Sequence, residues 1–159
     1  MNEICGYQNV LHIFGGRNSD PHEYPWAVLL TYQKQNSKIK ASLCGGVLIS
    51  QLHILTAAHC IVDADEKGYR IASARMGHAN VNEQSSFSIE VAKTTVHPEY
   101  RKFKPFVVND IAIVHLKKEV QIDGSVRPIC LPKAVSNEEE GMVIVIKELN
   151  LDLNRRALS

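Results

Sequence analysis

Short blocks of Val, Ile and Leu, separated by turn-forming residues, are the feature of this sequence that most limits its fold. Segments such as KQNSK and DADEKG separate these blocks, and each block has about the length of a β-strand. Nothing before Glu138 has helical periodicity over three turns. The pattern predicts an all-β domain, either an antiparallel barrel or a sandwich. The six predicted strands span residues 26–32, 44–50, 53–60, 70–77, 87–96 and 110–116.

The composition is that of a globular protein without a strongly charged partner. Hydrophobic residues make up 45% of the 159 residues and charged residues 22%, and 18 basic against 17 acidic residues leave a net charge of +1. A nucleic-acid or anionic-membrane partner would require an excess of basic residues, so neither is expected. No apolar run reaches the ~18 residues of a membrane span.

The four cysteines, Cys5, Cys44, Cys60 and Cys130, indicate an oxidising compartment. No two of them form a Cys-x-x-Cys pair, so two disulfides are favoured over a metal site, and no cofactor is expected. Four cysteines allow three pairings, which the spacing leaves open. The N-terminus, MNEICGYQNV, lacks the apolar region of a signal peptide. We therefore expect a secreted protein whose upstream sequence is missing here.

His59 is a candidate general base. It follows two alanines and precedes Cys60, so close packing and a disulfide would fix its backbone. A catalytic base requires such rigidity, because a displacement of ~1 Å can lower the rate ~100-fold. From this motif alone, a buried histidine bonded to a backbone carbonyl is an equally weighted alternative.

Asp110 is a candidate partner for that histidine. In VVNDIAIVHL its carboxylate lies at the start of an apolar strand, where an unpaired charge would be unfavourable. A histidine N–H is a suitable donor, and such a pair would fix the imidazole tautomer and stabilise the imidazolium. The alternative is an aspartate that caps a turn where the strand begins.

Five segments resemble the chymotrypsin/trypsin family of serine endopeptidases, in the family's order and at roughly its spacing. They are IFGGRNSDPHEYPWAV, CGGVLISQLHILTAAHC, VHPEY, NDIAIVHL and VRPICLP. The resemblance implies the first six-stranded antiparallel barrel of a double-barrel fold, with the second barrel largely absent. It implies that His59 is the general base and Asp110 its orienting acid. It further implies the disulfides Cys44–Cys60 and Cys5–Cys130, the second of which would tie a light-chain peptide to the catalytic chain.

The resemblance also divides the chain into three parts. Residues 1–12 correspond to a light-chain or propeptide remnant, residues 13–146 to the peptidase domain, and residues 147–159 to an atypical tail. The peptidase part comprises the N-terminal barrel and a connecting segment. Ile13 would be the activation N-terminus, although His12 stands where zymogens of the family commonly have arginine or lysine.

The sequence departs from the family at the nucleophile. The family's serine lies in a Gly-Asp-Ser-Gly-Gly motif, which these residues do not contain. We therefore expect a truncated chain that is inactive as written, without nucleophile, oxyanion hole or specificity pocket. Completed by a second barrel, it would bind protein or peptide substrates or protease inhibitors. Two alternatives stay open, namely a non-catalytic homologue that acts as a binding or decoy protein, and a truncated product without function.

Overall fold

The structure is a computed structural model that describes residues 5–6, 23–37, 40–77 and 87–131. Ile13, the tail 147–159 and most of segment 1–12 lie outside these residues. The described elements are β1 (Ala27–Lys34), β2 (Lys40–Ser50), β3 (His53–Thr56), α1 (His59–Glu66), β4 (Tyr69–Met76), β5 (Phe87–Val96), β6 (Arg101–Phe103), β7 (Phe106–Val108) and β8 (Ala112–Leu116).

Six of the strands form a closed antiparallel barrel in the order β1-β2-β3-β8-β5-β4. The barrel closes where β1 pairs with β4, with Leu29 opposite Arg75. Closure pairs the strands that would otherwise form the edges of an open sheet. The predicted all-β class is confirmed, and of the two predicted architectures the barrel is the one formed.

The core lies inside the barrel; β1 contributes five consecutive buried residues, 28–32, whereas β8 follows the two-residue period of a strand. In β8, Ala112, Val114 and Leu116 are buried, and the residues between them are partly exposed. Gly46 of β2 lies against β3, because a Cβ atom there would come within 2.7 Å of Ile54 Cγ2. The absence of a side chain at Gly46 is what allows β2 and β3 to approach this closely.

The interval 53–60, predicted as one strand, divides into β3 and the start of α1. The buried Thr56 ends β3, and its hydroxyl donates to the Gly45 carbonyl at 2.8 Å. Helix α1 has 8 residues, about two turns, which is too short to show helical periodicity over three turns. His59 is therefore the first residue of a helix. Among the described residues, no helix combines the length and the apolar character needed to cross a membrane.

A two-stranded hairpin of β6 and β7 lies between β5 and β8, where the sequence predicts only a loop. Its apolar side chains do not reach the core: Phe103 is 59% exposed and Phe106 is 71% exposed. Because every residue of β6 and β7 is exposed, the sequence of these strands shows no alternation of apolar and polar residues. The hairpin ends at Val108, two residues before Asp110, and Asp110 in turn lies two residues before β8.

Candidate active site

His59 and Asp110 are in contact although 51 residues separate them. The His59 Nδ1 lies 2.7 Å from Asp110 Oδ2, and the His59 backbone N–H donates to Oδ1 at 2.8 Å. With the proton on Nδ1, one carboxylate accepts two hydrogen bonds from the same residue. This arrangement fixes the ring and leaves Nε2 as the basic nitrogen. The His59 side chain is 48% exposed, so the ring is open to a reacting group.

The carboxylate of Asp110 also caps the N-terminus of α1. The N-cap residue Ala58 has no side-chain acceptor for the free N–H groups of the first turn. Oδ1 of Asp110 accepts one of them, and a negative charge at this end of a helix is electrostatically favourable. The carboxylate therefore stabilises the helix that carries His59 while it orients the imidazole.

Asn109 sets the position of Asp110. Its backbone has φ of 53°, a left-handed conformation that asparagine tolerates better than most residues. Its side-chain amide donates to the Glu99 carbonyl at 2.9 Å, and its own carbonyl accepts from Ile111 N–H at 2.8 Å. Hydrogen bonds at three consecutive residues, 109–111, thus fix the turn before β8. Asn109 was not identified from the sequence, although an asparagine directly before the candidate acid was a usable signal.

Two barrel strands hold the first turn of α1. The disulfide between Cys44 of β2 and Cys60 bridges Cα atoms that are 6.1 Å apart. The buried Tyr32 of β1 donates its hydroxyl to the Cys60 carbonyl at 3.0 Å. Tyr32 was not identified from the sequence, because nothing in the pattern connects it with a residue 28 positions away. His59 is consequently fixed through the residue next to it.

We expect Tyr32 to make the fold sensitive to alkaline pH. Burial raises the pKa of its hydroxyl well above the ordinary value of 10.0. The unfolded chain loses this proton above pH 10.0 while the folded chain retains it, so the stabilisation is complete below that pH and falls as pH rises further. The loss approaches ~1.4 kcal/mol per pH unit.

The Tyr32→Phe variant provides the measurement. Urea denaturation between about pH 9 and pH 11, roughly one unit either side of the ordinary tyrosine pKa, should show a flatter pH dependence for this variant than for the parent chain. At neutral pH the variant should be less stable by about 1 kcal/mol, because the hydrogen bond to Cys60 is lost. Tyr24→Phe is the matched control, since Tyr24 is 47% exposed. Equal slopes for parent and Tyr32→Phe would refute this assignment.

A salt bridge ties α1 to the hairpin. Lys102 Nζ of β6 lies 2.7 Å from Asp63 Oδ1, and this hydrogen bond lowers the pKa of Asp63. Both side chains are partly exposed, so the pair orients the hairpin more than it stabilises the fold.

A cavity of about 300 Å³ adjoins His59. Its walls include Tyr32, Cys44, Ala64 and Tyr69, and apolar surface predominates in it. The cavity is an open, largely apolar recess beside His59.

The second disulfide joins Cys5 to Cys130, with Cα atoms 5.0 Å apart. Next to it, Gly6 N–H donates to the Pro128 carbonyl at 3.0 Å. The structure thus contains the two disulfides implied by the resemblance, and the cysteines are all paired. For a metal, the described residues offer one close group of ligand types, Cys44, His59 and Cys60, whose sulfurs are joined in the disulfide.

Comparison with known proteins identifies the family. The family model named Trypsin matches residues 13–150. The chain belongs to the trypsin family. The resemblance inferred from the five motifs is thereby confirmed.

Relatives of this trypsin-family chain include insect proteases. It is 36% identical to the Spaetzle-processing enzyme of Drosophila melanogaster over 148 residues, covering 82% of this chain and 37% of the relative. It is 35% identical to phenoloxidase-activating factor 3 of Holotrichia diomphalia, covering 80% of this chain and 39% of the relative.

Solved structures show the same fold. The Drosophila Grass clip serine protease of the Toll pathway superposes with a TM-score of 0.67 at 27% identity, over 82% of this chain and 39% of that one. The chain therefore spans less than two-fifths of the length of the relatives named here.

Proposed function

We propose that this chain supplies the general base and the orienting acid of a serine endopeptidase. The supporting observation is the pair of contacts, 2.7 and 2.8 Å long, between His59 and Asp110. His59 Nε2 accepts the proton of the attacking serine hydroxyl and later gives it to the leaving amine. Asp110 holds the Nδ1 proton in place and stabilises the imidazolium that forms.

We propose that the attacking serine is supplied by sequence other than these 159 residues. The 159 residues contain no Gly-Asp-Ser-Gly-Gly sequence. Loss of one triad member normally leaves a residual ~10³–10⁴-fold catalysis, which comes from the oxyanion hole and substrate binding. Loss of one oxyanion-hole donor lowers the rate by a further ~10²–10³-fold. Without nucleophile and oxyanion hole, the His59–Asp110 pair has no reaction to assist, and we propose that these 159 residues alone are inactive.

The proposed substrates are secreted proteins cut at few positions. Two relatives are named for processing or activating other proteins, the Spaetzle-processing enzyme and phenoloxidase-activating factor 3. The recess beside His59 supports binding of a polypeptide side chain. Two disulfides support an extracellular location, since such bonds persist in oxidising compartments.

A chimaera tests this proposal. Residues 1–131 of this chain replace the matching part of the Spaetzle-processing enzyme, which then supplies the remainder of the protease. His12→Arg lets a trypsin-like protease free Ile13. We expect the cleaved chimaera to react with a fluorophosphonate probe and to hydrolyse a peptide ester, whereas the 159-residue chain does neither.

Each outcome of this experiment is informative. Labelling of the 159-residue chain would contradict its proposed inactivity. A chimaera that has a β-rich circular dichroism spectrum and unfolds cooperatively, but neither reacts nor hydrolyses, would contradict the catalytic role. That second result would favour the non-catalytic binding role.

A further inference from the structure

We propose that His53 and His115 form a two-histidine site for a divalent transition-metal ion, with Cu²⁺ bound most tightly. The two histidines are direct partners in the register of β3 and β8. Their neighbours Ile54 and Val114 are buried, so the imidazoles lie on the outer face of the barrel. The site lies outside the group of ligand types beside His59 and does not depend on the proposed catalytic role.

Strand pairing brings the two imidazoles together. Leu116 N–H donates to the Leu52 carbonyl at 2.9 Å, so the adjacent residues His53 and His115 form a non-hydrogen-bonded pair. In such a pair the Cα atoms are ~4.5 Å apart, and the side chains are closer than in a hydrogen-bonded pair. The two histidines are far apart in sequence, so only the folded chain holds them side by side.

The distance between the rings fits one shared ion. The ring centres are 5.0 Å apart, and the angle between the ring planes is 78°. Two imidazoles bound to one ion at metal–nitrogen distances of about 2.0–2.1 Å have ring centres ~4.5–5.2 Å apart, for angles between square-planar and tetrahedral. Rotation about the side-chain bonds can therefore aim one nitrogen of each ring at the ion without movement of the strands.

Hydroxyl groups hold the outer nitrogen of each ring. Ser50 Oγ lies 2.8 Å from His53 Nδ1, and Thr95 Oγ1 lies 3.0 Å from His115 Nε2. Because the strand order is β2-β3-β8-β5, these hydroxyls lie on the far sides of the two rings. A hydroxyl that accepts the ring N–H leaves the lone pair on the inner nitrogen, which is Nε2 of His53 and Nδ1 of His115. Metal-binding histidines almost always donate their second ring N–H to such an acceptor.

Lys93 of β5 is paired with His115 in the register, and its ammonium group has two opposing effects. Desolvation and, to a smaller extent, the charge of Lys93 lower the pKa of His115, so this ring is neutral and able to bind metal at neutral pH. The same charge repels a bound cation, although Lys93 is exposed and solvent and salt weaken the repulsion. Lys93→Gln should therefore tighten metal binding, as calorimetry can measure.

Imidazole ligands at a partly exposed position determine the class of metal. Imidazole nitrogen suits copper, nickel and zinc, and among their divalent ions Cu²⁺ binds a given site most tightly. Both rings are partly exposed, so water can fill the remaining coordination positions. Strand β3 leads to His59, and β8 follows Asp110. A bound ion therefore cross-links the two strands that position the proposed base and acid.

The test uses the full 159-residue chain with both disulfides intact and Cu²⁺ as the probe. Electron spin-echo spectroscopy counts the imidazoles on the ion, and we expect two of them in the parent chain at one equivalent of Cu²⁺. Because only the folded chain brings the two rings together, Cu²⁺ should also raise the thermal unfolding midpoint. Calorimetry should show tighter binding of Cu²⁺ than of Ni²⁺ or Zn²⁺. A single imidazole, an unchanged midpoint or tighter binding of Zn²⁺ would each contradict the proposal.

Variants separate this site from casual binding of Cu²⁺ at other histidines. His53→Gln and His115→Gln should each lower the Cu²⁺ affinity at least ~10-fold, the loss that a change of an outer partner alone can cause. Thr95→Val should lower it ~10-fold, because the hydroxyl that holds His115 is removed. His97→Gln is the matched control and should leave the affinity unchanged, since His97 Nδ1 accepts from the Glu99 N–H outside the pair.

The two histidine variants decide the assignment. Parent-like affinity in His53→Gln or His115→Gln, or loss of binding in His97→Gln, would overturn the proposal. Circular dichroism without metal shows whether each variant keeps the strand signal of the parent chain. Where a variant does not fold, the imidazole count in the parent chain decides the question, because it requires no substitution.

Discussion

In the chimaera, His59→Ala should lower kcat by about 10⁶-fold and Asp110→Asn by about 10⁴-fold. Alanine removes the base that takes the serine proton. Asparagine retains the shape of aspartate and can still accept from the His59 backbone N–H, which Oδ1 now does at 2.8 Å. It cannot accept the Nδ1 proton through its amide nitrogen, so the ring would carry its proton on Nε2, the nitrogen that must act as the base.

The measurement is steady-state hydrolysis of a peptide ester, with active sites counted by fluorophosphonate titration of the parent chimaera. Because both substitutions remove interactions made in the transition state, kcat should fall while KM changes little. Asp63→Asn is the matched control. It changes a carboxylate on the same helix whose partner is Lys102, not His59, and should leave kcat within a factor of a few. An Asp110→Asn variant as active as this control would contradict the proposed role of Asp110.

Several strands could be predicted from the sequence because apolar blocks of strand length mark them, and in β8 burial also follows the two-residue period. In β8, Ala112, Val114 and Leu116 alternate with partly exposed residues, and β5 coincides with the predicted interval 87–96. The residues alone predicted six strands but left a barrel and a sandwich open, and only the family motifs favoured the barrel. The barrel is closed by the pairing of β1 with β4, two strands that local sequence does not connect.

The helix and the hairpin escaped prediction for physical reasons. Helix α1 is about two turns long and is stabilised from outside, by the carboxylate of Asp110 and the disulfide at Cys60, more than by its own sequence. The hairpin exposes Phe103 and Phe106, so no alternation marks it. The contacts that determine α1 thus come from distant parts of the chain, whereas β6 and β7 pair locally and leave no buried pattern.

The candidate site divides in the same way. His59 and Asp110 could be named from the motifs, and a carboxylate at the start of an apolar strand gave a physical reason for the pair. Of the residues that support them, Asn109 offered a usable local signal, because it precedes the acid and adopts a left-handed backbone conformation. Tyr32 could not be named: its contact with the Cys60 carbonyl depends on which strands become neighbours, which local sequence does not encode.

The two disulfides should differ in their contribution to stability, and the larger effect should come from the one farther from His59. The sequence separations are 125 residues for Cys5–Cys130 and 16 residues for Cys44–Cys60. A cross-link stabilises mainly by restricting the unfolded chain, so closure of a ~100-residue loop contributes about 4.7 kcal/mol and closure of a ~15-residue loop about 3 kcal/mol. Since domains are stable by only ~5–15 kcal/mol, either loss is severe.

Paired Cys→Ala variants measured by urea denaturation at neutral pH decide this order. Packing in the folded state has the opposite effect on this order. Cys60 is a buried residue of α1, only 8% exposed, so its replacement also removes contacts in the folded state. If loop closure dominates, the Cys5→Ala/Cys130→Ala chain is the less stable of the two. The reverse order would mean that folded-state packing at the start of α1 outweighs restriction of the unfolded chain. In the chimaera the Cys44→Ala/Cys60→Ala pair should in either case lower kcat more, because only that disulfide holds the backbone next to His59.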